Sequence, residues 1–424
     1  MTGDAGASGR ASRPAAGVAT GRRPWLGRRV VLGITGGIAA YKSVQLARDL
    51  ARSGAIVDVI MTRAARQFVG AISFEAVTGR PVLSDILAEG HALDHIRLAR
   101  DADVVCVAPA TADFIARAAA GRSNDLLTAI LLATRAPVLV CPAMNDNMWS
   151  HAQTAANVTR LREIGYEIVG PATGPLAFGE GTGPGRAEEP DTVLEHIGRA
   201  LGSDPVWSGR RVVVTAGPTR EAVDAVRVLS NRSSGRMGFE IAAAAWRRGA
   251  DVVLIAGPAH VAPPVGPSLE RVETADDMAA AVGAAVAEAD VLFMAAAVAD
   301  FRPASPAAGK MKKQDAPAAL PLEPAPDVLR VTRERRRPGA VIVGFALETG
   351  DGRDNARGKL RDKGLDLIVL NSADEPGSGF DVDTNRVIVI DEGNEEELPL
   401  MSKADVADAL LDRVARRLAK HASV

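Results

Sequence analysis

Two stretches of this chain place glycine, hydroxyl and amide side chains where an apolar run gives way to a helix. The first is Val30–Ser43 (VVLGITGGIAAYKS), with Thr35, Gly36 and Gly37 at the junction. The second is Val212–Gly238 (VVVTAGPTREAVDAVRVLSNRSSGRMG), about 180 residues further on. A glycine turn at a helix start offers unpaired backbone N–H groups and the positive end of the helix dipole, which together suit a phosphate. A glycine that merely makes a tight turn is the alternative for either stretch taken alone.

Other chemistry-bearing residues fall at comparable junctions. In the first half these are Thr62 (VDVIMT), His95 (LDHIRLA), Thr111 (APAT) and Asn145 (CPAMN). In the second half they are Arg227 and Asn231 (VRVLSNR), Asp300 (AAAVADFR), Lys310 with Lys312 and Lys313 (GKMKKQ), and Phe345 and Glu348 (GFALET). Lys359 and Lys363 stand four apart, side by side on a helix. Each has a plainer alternative: a core or surface histidine, a helix-capping Asn145, a solvated lysine loop.

The elements that must position them alternate in type. The pattern predicts strands at 29–34, 55–61, 103–108, 137–141 and 166–170, with helices at 38–53, 112–119, 125–134, 148–164 and 191–201. A second series has strands at 210–216, 251–256, 290–296, 340–345 and 365–370, helices at 236–248, 275–288, 353–363 and 402–420, and a hairpin over 380–400. Short, wholly apolar strands separated by helices mean parallel sheets covered on both faces, with ligands at the C-terminal strand ends. The expected fold class is α/β, two Rossmann-like three-layer domains, the first flavodoxin-like. The expected boundaries are a disordered tail at 1–27, a first domain at 28–202, a linker at 203–209 and a second domain at 210–424. Residues 171–190 and 301–327 are rich in Gly, Pro and Ala and read as irregular loops.

Composition narrows the function. Net charge is −2, with 47% apolar and 24% charged residues, so no global attraction to nucleic acid is implied. No apolar run reaches the ~18 residues of a membrane span. Two cysteines, Cys106 and Cys141, lie in apolar strands and read as buried thiols, in keeping with a cytoplasmic protein. The GITGG turn lacks the G-x-G-x-x-G spacing, and no acidic residue ends the second strand, so a mononucleotide fits better than a dinucleotide.

The first half resembles the flavin-containing cysteine decarboxylases through GITGGIAAYKS, MTRAA, DHIRLA, APATADFIARAAAGRSNDLL, PAMNDNMW and GPGRAEEP. That resemblance implies FMN held by Thr35, Gly36, Gly37, Thr62 and Thr111, a catalytic His95, and Asn145 on the substrate carboxylate. The implied reaction is decarboxylation of 4'-phosphopantothenoylcysteine to 4'-phosphopantetheine. Oxidation of the thiol carbon to a thioaldehyde lets the electrons left by CO2 delocalise, and the enethiol is then reduced. One departure stands out. The family pattern carries a cysteine, the final proton donor, in a substrate-clamp loop, and the corresponding stretch here places Phe178 at that position and Ala187 at a methionine position.

The second half resembles the phosphopantothenate–cysteine ligases through GPTRE, VRVLSNRSSGRMG, AAAVADFRP, KMKKQ, PDVL and GFALET. The resemblance implies CTP contacts at Met294, Ala295, Ala296, Asp300, Lys310, Pro326, Asp327, Val328, Leu329, Phe345, Lys359 and Lys363, and phosphopantothenate contacts at Arg227 and Asn231. It implies an acyl-cytidylate that cysteine's amine resolves, with Lys310 and Mg2+ stabilising phosphate charge and Asn231 orienting the intermediate. The expected protein is thus a bifunctional, homo-oligomeric enzyme of coenzyme A biosynthesis, built from trimers of the first domain and reaching a dodecamer. The alternatives are a ligase whose flavin domain has lost activity with the clamp cysteine, and a flavin-fold binding subunit.

Overall fold

The computed structural model describes residues 23–86, 93–312, 319–348, 350–372, 379 and 382–421. Most of the expected tail lies outside these, but 23–27 form a turn whose Trp25 packs on the first domain's core and donates from Nε1 to Leu194 O at 3.1 Å. The tail therefore ends earlier than expected, because one large aromatic side chain has apolar surface to bury.

The first domain runs β1 (Arg29–Ile34), α1 (Ala40–Arg52), β2 (Ile56–Met61), α2 (Ala71–Thr78), α3 (Asp94–Asp101), β3 (Val104–Ala110), α4 (Ala112–Ala119), α5 (Leu126–Ala133), β4 (Val138–Pro142), α6 (Asp146–Ser150), α7 (Ala152–Glu163), β5 (Glu167–Ile168), β6 (Ala172–Pro175), β7 (Thr182–Arg186) and α8 (Pro190–Gly202). Its sheet is parallel throughout, in the order β2-β1-β3-β4-β5. The chain reverses direction of winding between β1 and β3, so the loops leaving those strands diverge and open a crevice. The strands are apolar on both faces because helices cover both.

Two expectations need correcting here. The segment taken as an irregular loop contains the β6–β7 hairpin, antiparallel with Thr173 opposite Pro184. Its glycines and prolines hid a two-strand pairing that carries no apolar alternation. The helix expected at 148–164 is two helices, α6 and α7, because the extended backbone of His151 breaks the run and its Nδ1 caps the second by accepting from Gln153 N.

The second domain runs β8 (Arg211–Ala216), β9 (Arg220–Ala222), β10 (Val228–Ser230), α9 (Arg236–Arg247), β11 (Asp251–Ala256), β12 (Ser268–Arg271), α10 (Ala275–Ala285), β13 (Val291–Met294), β14 (Phe301–Pro303), β15 (Leu322–Pro324), α11 (Val328–Val331), β16 (Val341–Glu348), α12 (Arg353–Asp362), β17 (Leu367–Ser372), β18 (Thr384–Ile390), β19 (Glu395–Ser402) and α13 (Lys403–His421). The sheet order is β12-β11-β8-β13-β16-β17-β18-β19, parallel as far as β17 and antiparallel beyond it. The expected hairpin over 380–400 is β18–β19. The β9–β10 hairpin and the edge strand β12 were not legible, being short and largely exposed. The expected loop at 301–327 is bounded by the paired strands β14 and β15, and its residues 313–318 lie outside the described residues.

The two domains meet through α8 and α9. Arg199 donates to Gly249 O and Ala250 O, both at 3.1 Å, and to Trp246 O, satisfying carbonyls left open at the end of α9. Arg247 pairs with Glu195 at 2.9 Å across the same joint.

Candidate functional site

In the first domain the end of β1 is tied to the end of β3 by one hydroxyl. Thr35 Oγ1 donates to Pro109 O at 2.6 Å and accepts from Thr111 N at 3.0 Å. Above this bridge lies a cavity of about 1420 Å³ lined by Thr35, Gly36, Gly37, Thr62, Thr111 and Asn145 among others. All five residues expected to hold a flavin, and Asn145, thus face one space at the crevice between β1 and β3. The space exceeds the ~300–1,000 Å³ of most ligand clefts.

The residues present fit an anionic, planar cofactor. A Cβ on Gly36 would lie 2.4 Å from Ala64 Cβ, so only glycine lets the turn close on the loop after β2. Next to Gly37 the space is open, the nearest atom to a notional Cβ being Thr111 Cγ2 at 3.6 Å. Lys42, Arg63, Arg117 and Arg186 also line the cavity, together with Asp113, Asp125 and Glu180; Lys42, Arg117 and Arg186 are each paired with a carboxylate. Thr35 contributes by holding loops, since its hydroxyl is spent internally. Thr111 Oγ1 accepts from Phe114 N and caps α4. Thr62 Oγ1 accepts from Ala65 N, which leaves its proton for a ligand. Asn145 does cap α6, its Oδ1 accepting from Asn147 N at 2.9 Å, and the residue lines the cavity.

His95 is not brought to this cavity. It lies in the first turn of α3, outside the lining residues, with a buried Nδ1 that finds no partner among the described residues. Its neighbours Leu93 and Ile96 are exposed apolar side chains.

The β6–β7 hairpin forms one wall of the cavity through Pro175, Leu176, Ala177, Glu180, Gly185 and Arg186. Phe178 at its tip is fully exposed and outside the lining. Lys42 on α1 grips the hairpin's exit, donating to Ala187 O at 3.0 Å and Glu189 Oε1 at 2.9 Å. Cys106 and Cys141 are buried on neighbouring strands, their sulfurs 3.9 Å apart. Contact with the Cys106 thiol, together with burial, pushes the Cys141 thiol well above its ordinary pKa. Neither is placed to act as an acid in the cavity. Sequence reasoning passed over Lys42, Arg117, Asp125 and Glu180; Lys42, Arg117 and Asp125 sit within strings already singled out, but nothing in their spacing pointed to a cavity.

The second domain repeats the hydroxyl device. Thr215 at the end of β8 accepts from Ala296 N at 3.1 Å, fixing the Ala295–Ala296 turn after β13. Asn231 donates from Nδ2 to Val298 O at 3.0 Å, which brings the β10 exit to the same turn. Ala325 N donates to Asp300 O at 2.9 Å, joining the segment after Asp300 to the one that enters Pro326 and Asp327. Asp327 caps α11 and pairs with Lys363 at 3.3 Å; Val328 and Leu329, just inside that helix, are buried. Lys359 pairs with Glu348 at 2.6 Å, near the end of β16 that carries Phe345. Thr215, Ala295, Ala296 and Phe345 stand at or near the C-terminal ends of β8, β13 and β16, with Met294 closing β13, whereas Lys363 follows α12 at the end that leads into β17. Lys310 is exposed on the loop after β14. Arg227 engages Asp224 and Met311 O. Among the described residues no group of three or more His, Cys, Asp or Glu is arranged to hold a metal ion.

The fold and the first cavity define a flavin-type α/β domain joined to a second α/β domain. In agreement, residues 20–202 match the family described as flavoprotein, and residues 207–418 match the DNA/pantothenate metabolism flavoprotein C-terminal domain. The chain is 45% identical over 408 residues to the coenzyme A biosynthesis bifunctional protein CoaBC of Mycobacterium tuberculosis H37Rv, covering 92% of this chain and 97% of that one. It is 42% identical over 396 residues to CoaBC of Vibrio cholerae serotype O1, covering 92% and 99%. A crystal structure of the C-terminal domain of a CoaBC covers 51% of this chain and all of its own, at 34% identity and a TM-score of 0.44. The chain belongs to the family of bifunctional coenzyme A biosynthesis proteins CoaBC. It is an enzyme, with phosphopantothenoylcysteine decarboxylase and phosphopantothenate–cysteine ligase activities on one polypeptide. The readings of an inactive flavin domain and of a binding subunit are thereby set aside.

Proposed function

We propose that the ligase half uses CTP and Mg2+ to join 4'-phosphopantothenate to L-cysteine, and that the decarboxylase half uses FMN in the cavity above Thr35. The observation that carries the FMN site is the convergence of Thr35, Gly36, Gly37, Thr62 and Thr111 on that one cavity. Bound there, FMN supplies two-electron redox chemistry to the substrate's thiol carbon. Asn145 orients the substrate carboxylate from the opposite loop, and the β6–β7 hairpin excludes water. The proton for the last reduction comes from a group other than a cysteine, because Phe178 is no acid and both thiols are buried.

His95 acts from a neighbouring copy of the chain. Its distance from its own cavity and the exposed Leu93 and Ile96 beside it support a trimer-based oligomer.

In the ligase half, attack of the phosphopantothenate carboxylate on the CTP α-phosphate gives an acyl-cytidylate and pyrophosphate. Cysteine's amine then displaces CMP. Met294, Ala295, Ala296, Asp300, Pro326, Asp327, Val328, Leu329, Phe345, Lys359 and Lys363 frame the nucleotide. Lys310 stabilises the phosphates, and Arg227 and Asn231 serve phosphopantothenate. Mg2+ enters on the triphosphate, the usual way for an ion that keeps most of its waters, so a dedicated carboxylate cage is not required. Among the described residues no helix is long and apolar enough to cross a membrane.

The test is direct. The purified chain should carry a flavin spectrum, release pyrophosphate with CTP and phosphopantothenate, release CMP and turn over repeatedly only when cysteine is added, and then evolve CO2. Equal pyrophosphate release with ATP in place of CTP would overturn the nucleotide assignment.

A further inference from the structure

Asp224 lies in the turn between β9 and β10, has so far been given no role of its own, and has a buried carboxylate. Oδ1 accepts from the backbone N–H groups of Val226 and Arg227, both at 2.8 Å. Oδ2 accepts from Arg227 Nε at 2.9 Å and from Met311 N at 3.1 Å. Arg227 Nη2 donates in turn to Met311 O at 2.7 Å. A third tie runs from Ala307 N to Val223 O at 3.1 Å. Burial alone would raise the Asp224 pKa, but the Val226, Arg227 and Met311 N–H groups and the Arg227 guanidinium outweigh it and hold the carboxyl far below its usual range. The group is therefore ionised at any working pH.

The residue gripped at both its N–H and its C=O immediately follows Lys310. A lysine on an untethered loop would lose backbone as well as side-chain freedom on meeting a nucleotide; one whose next peptide is already fixed loses less. We propose that Asp224 is a positioning residue of the ligase reaction, which with Arg227 fixes the backbone at Met311 so that the Lys310 ammonium is presented to the nucleotide phosphates. This rests on the assignment of Lys310 made above. It also gives Arg227 a part in ordering that loop, beyond any contact with phosphopantothenate.

Asp224→Asn keeps the shape, removes the charge and turns an acceptor into a donor facing other donors. In the full-length FMN-loaded protein it should lower ligase kcat at least tenfold while leaving KM for cysteine within about twofold, with CO2 release from phosphopantothenoylcysteine unchanged as a control on integrity. Limited tryptic cleavage after Lys310 and Lys312 should quicken several-fold. Arg227→Gln, which removes the contact to Met311 O but leaves Asp224 its backbone donors, should quicken the same cleavages to a smaller extent. Wild-type cleavage in Asp224→Asn would overturn the clamp, whatever the ligase rate. Quickened cleavage with undiminished ligase kcat would overturn its role in the reaction. Full ligase turnover in Lys310→Gln would overturn the Lys310 assignment instead, a result distinguished from failure of the clamp because the cleavage does not depend on that role.

Discussion

The backbone N–H of Met144 donates to Gly185 O at 3.0 Å, and a Cβ placed on Gly185 would lie 2.3 Å from Met144 O. The loop carrying Asn145 and the hairpin that walls the cavity are thus in backbone contact. Gly185 has φ of +126°, a region that side chains other than hydrogen rarely enter. Close approach at Gly185 thus ties the Asn145 loop to the hairpin.

Replacing Gly185 with alanine should therefore separate them. Local strain and overlap together cost about 2 kcal/mol or more. Gly185→Ala is expected to reduce CO2 release at least tenfold while ligase turnover stays at the wild-type level. Parallel assays of both activities on one preparation would check this, and an unaltered decarboxylase rate would refute the coupling.

Gly36→Ala tests the cofactor turn. The added methyl must displace Ala64, whose backbone carbon lies 2.8 Å from it, at an overpacking cost of about 1–3 kcal/mol. The purified variant should carry markedly less flavin per chain, read from the ratio of flavin to protein absorbance, with ligase turnover intact.

In the ligase half, Lys310→Gln should block formation of the acyl-cytidylate. Asn231→Asp should let it form and accumulate, since this residue is held against Val298 O where the intermediate would be turned toward cysteine. Quenched reactions resolved by mass would distinguish the two. Normal turnover in both would remove the assignments.

Asp125 gives the first domain a pH dependence. Partial burial by itself would raise its pKa, but the Thr128 N–H and hydroxyl, each at 2.8 Å, and the Arg117 guanidinium outweigh burial and lower it. A carboxyl depressed in the folded state stabilises above its unfolded value of about 3.9, and that stabilisation disappears as pH falls through the folded value. Asp125→Asn should melt lower than the wild type near neutral pH, and the gap should narrow below about pH 4. A gap of constant size across that range would show that ionisation of Asp125 is not the cause.

Alternation of apolar strands with helices, and the hydroxyl and glycine positions after β1, β2 and β3, made two α/β domains and most of the first cavity legible in the amino-acid order. They are local signals: apolar runs set the strands, and a glycine after a strand sets the turn. The hairpin β6–β7 was not legible because it is held by backbone pairing between glycines and prolines, without side-chain periodicity. Trp25 was hidden for a related reason, since its partner Leu194 lies 169 residues away.

The sequence by itself determined which residues stand at the ends of strands and which chemistry they bring. Only the tertiary structure decided which of them meet. Thr35 reaches Thr111 because β1 and β3 are neighbours across a reversal of winding. His95 stays outside its own cavity because α3 packs elsewhere. Asp224 reaches Met311 because a turn and a loop 87 residues apart fold over one strand end. Such meetings depend on sheet order and on long-range packing, which no local spacing encodes.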